Sequence, residues 1–310
     1  MRSVPRRPAP RRSAGRRPAR EQGYGAELSA ARLRGTEGEV DGWLAFALHV
    51  AAESDAIALR HFRSDLDVTG KADGSFVTQA DTAIERLVRE RIADAYPSHG
   101  VIGEEEEAHQ AGAAVRWYVD PIDGTHNFMR GVPLFGTLLA CERDGELQLG
   151  VLSAPALGER WHARRGGGAW AVRTDGARTG TVRRARVSDV DAIERAHLLY
   201  SSFADIEASA RAPGFVDTLR RAWRSRGFGD FWGYALVAEG AAEAMVEVGV
   251  HTWDLAAPIV IVEEAGGRFT DLWGRRRFDT HSMLVSNGVL HERLLAALWG
   301  ADEPPETPAT

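Results

Sequence analysis

Three short apolar segments, each with carboxylates at one end, constrain this chain more than any other feature. Residues 101–105 read VIGEE, residues 117–123 read WYVDPID, and residues 253–258 read WDLAAP. A short apolar run bounded by turn formers reads as a buried strand, and the third segment opens a helix. Acids at the ends of such elements are not ordinary surface acids. Brought together, they repel one another unless a cation stands between them. The chain must therefore gather the ends of several buried elements at one place.

In DPID, the proline fixes the backbone after Asp120, and the glycine after Asp123 permits a sharp turn. Two carboxylates three apart in such a turn can converge on one point, with the Ile122 carbonyl between them. Oxygen ligands without Cys or His favour Mg²⁺ over zinc. The one cysteine, Cys141, excludes an intramolecular disulfide and a Cys-rich zinc site. Taken singly, DPIDG also reads as an Asx-type turn, and GEEEE as a solvated acidic loop. The recurrence of apolar run and then acid favours metal. Beyond Asp123 comes Gly124-Thr125-His126-Asn127-Phe128. A Gly-Thr pair opening a helical turn offers free N–H groups to a phosphate, and the Thr125 hydroxyl can orient a water. Metal carboxylates beside an anion nest point to phosphate ester hydrolysis.

The rest of the chain is globular in composition, with 310 residues, 44% apolar and 26% charged. No apolar stretch approaches the roughly 18 residues of a membrane helix, and the N-terminus lacks a signal-type apolar region. A cytoplasmic protein is expected. Residues 1–20 hold eight Arg, four Pro and no acid, and cannot bury a core. The expected organisation is a disordered tail and lead-in over 1–38, a folded unit over 39–300, and a loose end over 301–310. Within the folded unit, subdomains are expected at about 39–185 and 186–300. Helices are expected near 39–63, from a cap at Thr78 to Tyr96, and near 213–225, 231–240, 254–265 and 289–299. Strands and hairpins fill 134–172. Mixed α and β, with helices layered on sheets, is the fold class.

The order IGEE, DPIDGTHNF, WDLAAPIVIVEEAGG resembles the inositol monophosphatase superfamily of Mg²⁺-dependent, lithium-sensitive phosphatases, from about residue 41 to 299. The resemblance implies an α/β fold, a layered αβαβα sandwich of the inositol monophosphatase and fructose-1,6-bisphosphatase type, usually a homodimer. It implies two to three Mg²⁺ ions, with Mn²⁺ as a substitute. Glu104, Asp120 and the Ile122 carbonyl would hold the first ion, and Asp120, Asp123 and Asp254 the second, while Glu104 faces a third site. Thr125, bonded to Asp81, would help Glu104 activate the attacking water. Lys71 matches an active-site lysine, and Gly124 and Thr125 face the phosphate.

Within the superfamily, GFGDFWGYALVAEG at 227–240 and GVLSAPALGERWHARRGGGAW at 150–170 are similar to the histidinol-phosphatase branch of actinobacterial type. That implies hydrolysis of L-histidinol phosphate in histidine biosynthesis. The substrate carries an ammonium and an imidazole, which carboxylates at Asp230 and Glu247 could pair. Glu247 does not discriminate, because inositol phosphatases also place an acid there; Asp230 carries the distinction, against the simpler reading of a helix N-cap. Inositol-1-monophosphatase is the alternative. A different class stays open too: an RNA- or transcription-associated binding protein using the Arg-rich tail.

Several residues have plainer readings. His126 is read as pocket wall, His251 as structural, and Trp253 as packing that orients Asp254. Arg164 and Arg165 are read as a solvated hairpin, and Cys141 as core. Of the 38 basic residues, only Lys71 is a lysine. A GC-rich genome explains that ratio, yet the one lysine falls on an active-site motif, where a compact ammonium fits differently from a planar guanidinium.

Overall fold

The computed structural model describes residues 36–71, 74–175, 178–209 and 212–299. The expected Arg-rich tail and the C-terminal end lie outside these residues. The chain opens with α1 (Thr36–His61), a hairpin of β1 (Val68–Gly70) and β2 (Phe76–Thr78), and α2 (Gln79–Ala95). Next come β3 (Gly100–Gly103), β4 (Val115–Asp123), the short α3 (Thr125–Met129), β5 (Gly136–Arg143), β6 (Glu146–Ala154), β7 (Glu159–Arg164), β8 (Gly168–Asp175) and β9 (Arg178–Arg184). β3 to β9 form one sheet in sequence order. It is antiparallel except between β3 and β4.

The second half supplies β10 (His197–Tyr200), α4 (Phe203–Ala208), α5 (Phe215–Arg221), β11 (Arg224–Arg226), α6 (Asp230–Ala238) and β12 (Ala244–Val248). It ends with α7 (Thr252–Glu264), β13 (Arg268–Thr270), β14 (Ser282–Ser286) and α8 (His291–Trp299). Its five strands are ordered β11-β10-β12-β14-β13.

Strand alternation assigns each residue to a layer. In β4 and β5, Trp117, Val119, Leu139 and Cys141 face α1 and α2, where they meet Trp43, Val50, Ile84 and Val88. Tyr118, Leu138 and Ala140 face the other way, toward α6 and α7. The second sheet repeats the device. Leu199, Met245, Met283 and Val285 close on α6 and α7, whereas Leu198, Val246 and Leu284 pack under α5 and α8. The result is the expected layering: helices, sheet, helices, sheet, helices.

The central helix α7 is buried without a break from Leu255 to Val262, as an apolar-all-round helix must be. It touches both sheets. Its approach to the first sheet is set by Gly150 in β6, where an added Cβ would stand 2.4 Å from the Ala257 carbonyl oxygen.

Two expectations change. The helix expected near 213–225 stops at Arg221, and residues 224–226 pair in parallel with β10 instead. The open edge of the second sheet overrides the helical pattern. Arg164 and Arg165 are not a solvated hairpin. Arg164 is ion-paired to Asp41 on α1, and Arg165 binds Glu263 on α7 at 2.5 Å, so the hairpin is tied down on both faces. Cys141 is fully buried in β5, as expected. Among the described residues, no helix is long and apolar enough to cross a membrane.

Because Gly150 meets main chain rather than a yielding side chain, Gly150→Ala is expected to destabilise the fold by about 1–3 kcal/mol. Denaturant unfolding would measure this; an unchanged midpoint would show that α7 can retreat freely.

Candidate active site

The expected site residues collect where several element ends meet: the β1–β2 hairpin with the N-terminus of α2, the end of β3, the end of β4, and the N-termini of α6 and α7. The DPID segment is not the turn expected from its sequence. It remains in β4, and its pairing with β5 slips by one residue between Asp120 and Asp123. In a regular strand, residues three apart point to opposite faces. The bulge cancels that, adding one residue so that both acids serve one site. The Pro121 carbonyl anchors it, accepting from Thr137 Oγ1 at 2.8 Å. The turn comes one residue later, at Gly124, whose φ of 83° is left-handed. A Cβ there would stand 2.9 Å from the Leu134 carbonyl oxygen and 3.3 Å from Asp230 Oδ2, so this corner requires glycine.

All of the site's carboxylates but Asp120 already hold a protein donor. Glu104 and Glu105 both accept from Lys71 Nζ at 2.8 Å. Burial opposes the charge on Lys71, yet the hydrogen bonds it donates to these two acids hold its pKa above the usual lysine range. Asp123 Oδ2 accepts the Phe231 N–H of the first turn of α6 at 2.5 Å. Asp254 Oδ2 accepts the His251 N–H at 2.7 Å, as a capping acid of α7. Asp81 closes a capping box on α2, accepting from the Thr78 N–H at 2.9 Å and from Thr78 Oγ1 at 2.5 Å. Its other oxygen faces Thr125. That hydroxyl stands 3.4 Å from Asp81 Oδ1 but only 2.9 Å from the Ile122 carbonyl oxygen. Its proton is better directed at Ile122, so the expected Thr125–Asp81 bond is the longer of two choices.

Burial and mutual repulsion lift the carboxyl pKa values together. Asp120 and Asp123 are raised well above the usual value, first by burial and then by charges that include Glu104 for Asp120 and Asp230 for Asp123. Asp254 is raised to about 7, Glu105 to about 7, Asp81 to about 6 and Glu247 to about 8, each mainly by burial. Among the described residues, no three acidic, His or Cys side chains close on one point as a finished metal cage. The acids have turned to nearby N–H and ammonium groups instead. The set nonetheless suits a divalent cation. Asp120 Oδ1 is buried with no hydrogen-bond partner, the Asp120 and Asp254 side chains are in hydrogen-bond reach of each other, and every donor is oxygen.

The second group of residues lies alongside. Asp230 is not an N-cap: it is the first residue of α6, and Gly229 holds the cap position. Its carboxylate instead accepts from Asn127 Nδ2 at 3.0 Å, and burial raises its pKa. Glu247, on β12, accepts from the Tyr234 hydroxyl. His126 is exposed and edges onto Phe76, in keeping with a pocket wall. His251 and Trp253 stack at 4.8 Å, ordering the start of α7.

Sequence reasoning missed Glu85. Fully buried on α2, it accepts the N–H groups of Glu105 at 2.7 Å and Glu106 at 3.1 Å while pairing with Arg89. It is the pedestal of the IGEE loop. Gly103 leaves room for it, since a Cβ there would stand 2.1 Å from Glu85 Oε1. The available signal was an acid flanking the apolar stripe of α2, four residues after Asp81.

A family model described as "Inositol monophosphatase family" matches residues 39–303. The chain belongs to the inositol monophosphatase family. Members generally depend on Mg²⁺. The chain is 42% identical over 260 residues to a histidinol-phosphatase of Streptomyces coelicolor, covering 81% of this chain and 94% of that one. It is 41% identical to a histidinol-phosphatase of Mycobacterium tuberculosis, covering 82% and 97%. Among solved structures, the extragenic suppressor protein suhB of Bartonella henselae superposes with a TM-score of 0.75 at 27% identity, covering 84% and 99%.

The raised pKa values set the pH dependence of the metal-free protein. A carboxyl whose folded pKa exceeds its unfolded value of about 4 stays protonated in the fold while the unfolded chain ionises, so stability falls as pH rises toward the folded pKa. His162 and His291, held at about 4, act oppositely, but only below about 6.5. In EDTA, the melting temperature is therefore expected to drop between pH 6.5 and 8.5, and Mg²⁺ should restore more at pH 8.5. A flat profile in EDTA would show that the acids do not crowd one another.

Proposed function

We propose that this chain is a Mg²⁺-dependent phosphomonoesterase that hydrolyses L-histidinol phosphate to L-histidinol and phosphate. The observation that carries the substrate is the paired carboxylates at Asp230 and Glu247, beside the acids at the ends of β4 and α7. Asp230 accepts from Asn127 Nδ2 rather than capping α6, which leaves acceptor capacity for a substrate cation. A substrate with an ammonium and an imidazole answers two such acids. The names of the two relatives above support the same reading.

Glu104, Asp120 and the Ile122 carbonyl would hold one ion, and Asp120, Asp123 and Asp254 another, with Glu104 also turned to a third. Mn²⁺ would serve in place of Mg²⁺. Bound, these ions neutralise phosphoryl oxygens and acidify a water. The protein does the rest. Thr125 and Glu104 orient the water, and Asp81 fixes the end of α2 opposite Thr125. The corner at Gly124 turns main-chain N–H groups toward the phosphate. Lys71 holds Glu104 and Glu105 together and keeps their charge from scattering the loop.

A second reading, hydrolysis of an inositol phosphate, is equally compatible with Glu247, since one acid can accept from ring hydroxyls. The proposal extends to a cytoplasmic homodimer. α1 and α2 pack on β4 to β7, while Val182 on the outermost strand β9 is 49% exposed and suits a second copy.

Steady-state hydrolysis of L-histidinol phosphate and inositol 1-phosphate decides between the readings; a large preference for the inositol ester would refute ours. Asp230→Ala should lower kcat/KM for histidinol phosphate by about a hundredfold, the scale of a lost charge-assisted hydrogen bond, and hardly touch inositol phosphate. Lys71→Arg should lower kcat for either ester by about tenfold or more, because a planar fork cannot seat between two carboxylates as an ammonium does. An unaltered rate would reduce Lys71 to a surface pair.

A further inference from the structure

The Tyr234–Glu247 contact has no place in the chemistry above. Tyr234 is 2% exposed and Glu247 5%, and a tyrosine so buried in an apolar layer normally has a partner for its hydroxyl. Here that partner is Glu247 Oε2, reached across from α6 to β12. Tyr234 lies four residues after Asp230 on α6, and the Asp230 charge acts on the same Glu247 carboxyl. The main chain of Asp230 adds its own stabilisation to the Glu247 carboxylate. One residue on, the Phe231 N–H holds Asp123. Asp230 itself has φ of 58°, a left-handed conformation that a non-glycine residue adopts only when its surroundings impose it.

We propose that Tyr234 is a positioning residue: its hydroxyl, delivered by the first turns of α6, fixes the Glu247 carboxylate so that its remaining lone pairs face the cationic end of the substrate. The inference rests on Glu247 being a substrate contact, as in the proposed function. A carboxylate offers about four acceptor directions. Tyrosine takes one and stops rotation, the Asp230 main chain takes another, and the rest are left for the substrate. The hydroxyl touches no reacting atom. Its loss should weaken recognition of a substrate that carries an ammonium and spare one that carries none.

The test is kinetic, with Mg²⁺-loaded enzyme and two esters, L-histidinol phosphate and p-nitrophenyl phosphate. Tyr234→Phe should raise KM for histidinol phosphate by about tenfold, the scale of one hydrogen bond to a charged group. Its kcat should stay within about twofold, and p-nitrophenyl phosphate should be unaffected. Glu247→Gln should show the same selectivity. The double variant Tyr234→Phe/Glu247→Gln should be no worse than Glu247→Gln alone, since each removes the same aimed acceptor. It has no buried charge left without a partner, so the comparison stands even if Tyr234→Phe folds poorly. Equal losses on both esters, or losses that add in the double variant, would make Tyr234 a packing residue and overturn the proposal. If Glu247→Gln itself leaves the ratio of the two esters unchanged, Glu247 is not a substrate contact and both assignments fall. If only Tyr234→Phe leaves the ratio unchanged, Tyr234 falls alone.

Discussion

Crowding of buried carboxylates is the constraint on which this structure depends. Asp120, Asp123, Asp254 and Glu104 come from three separate elements, and each adds to the cost of ionising another. A folded chain tolerates that only where the scaffold is rigid enough to resist the repulsion. The scaffold here is two sheets pressed against one shared helical layer. α7 lends its N-terminus to the site and its apolar body to both sheets. Asp254 thus rides on a helix buried without a break from Leu255 to Val262, and Asp120 and Asp123 on the strand next to the β3 edge of the larger sheet.

The donors that hold the acids are economical. Phe231 and His251 give main-chain N–H groups from the first turns of helices, where such groups have no helical partner. Lys71 serves Glu104 and Glu105 together. Glu85 supports two loop N–H groups from below. A site of mutually repelling charges therefore keeps its shape through backbone geometry, and its side chains retain acceptor capacity for a ligand.

The layered architecture and the three acidic ends were legible from sequence because both follow simple periodicities. Apolar alternation placed the strands, and each acid stood at one end of a run that had to be buried. Other features were hidden for physical reasons. The bulge between Asp120 and Asp123 depends on pairing with β5, which no local pattern encodes. Glu85 resembled a solvated helical acid, because its partners are N–H groups some twenty residues away. Tyr234 lay in an apolar run, where an aromatic ring reads as packing and its hydroxyl goes unnoticed. The end of α5 at Arg221 was set by a neighbouring strand. Asp230 showed the opposite case: a local reading as a cap was available, and a contact with Asn127, over a hundred residues away in the chain, displaced it.

The slip in β4 has one more consequence. Along a flat strand, acids that cooperate must be separated by an even number of positions, so an odd separation would be dismissed as two unrelated side chains. The Asp-Pro-Ile-Asp segment cooperates at an odd separation because its partner strand is one residue short. Site and sheet are thereby locked to a shared count. A single deletion between the acids would leave the hydrophobicity of β4 almost unchanged while sending one carboxylate to the wrong side. The spacing of these two residues is a measurement of the sheet itself.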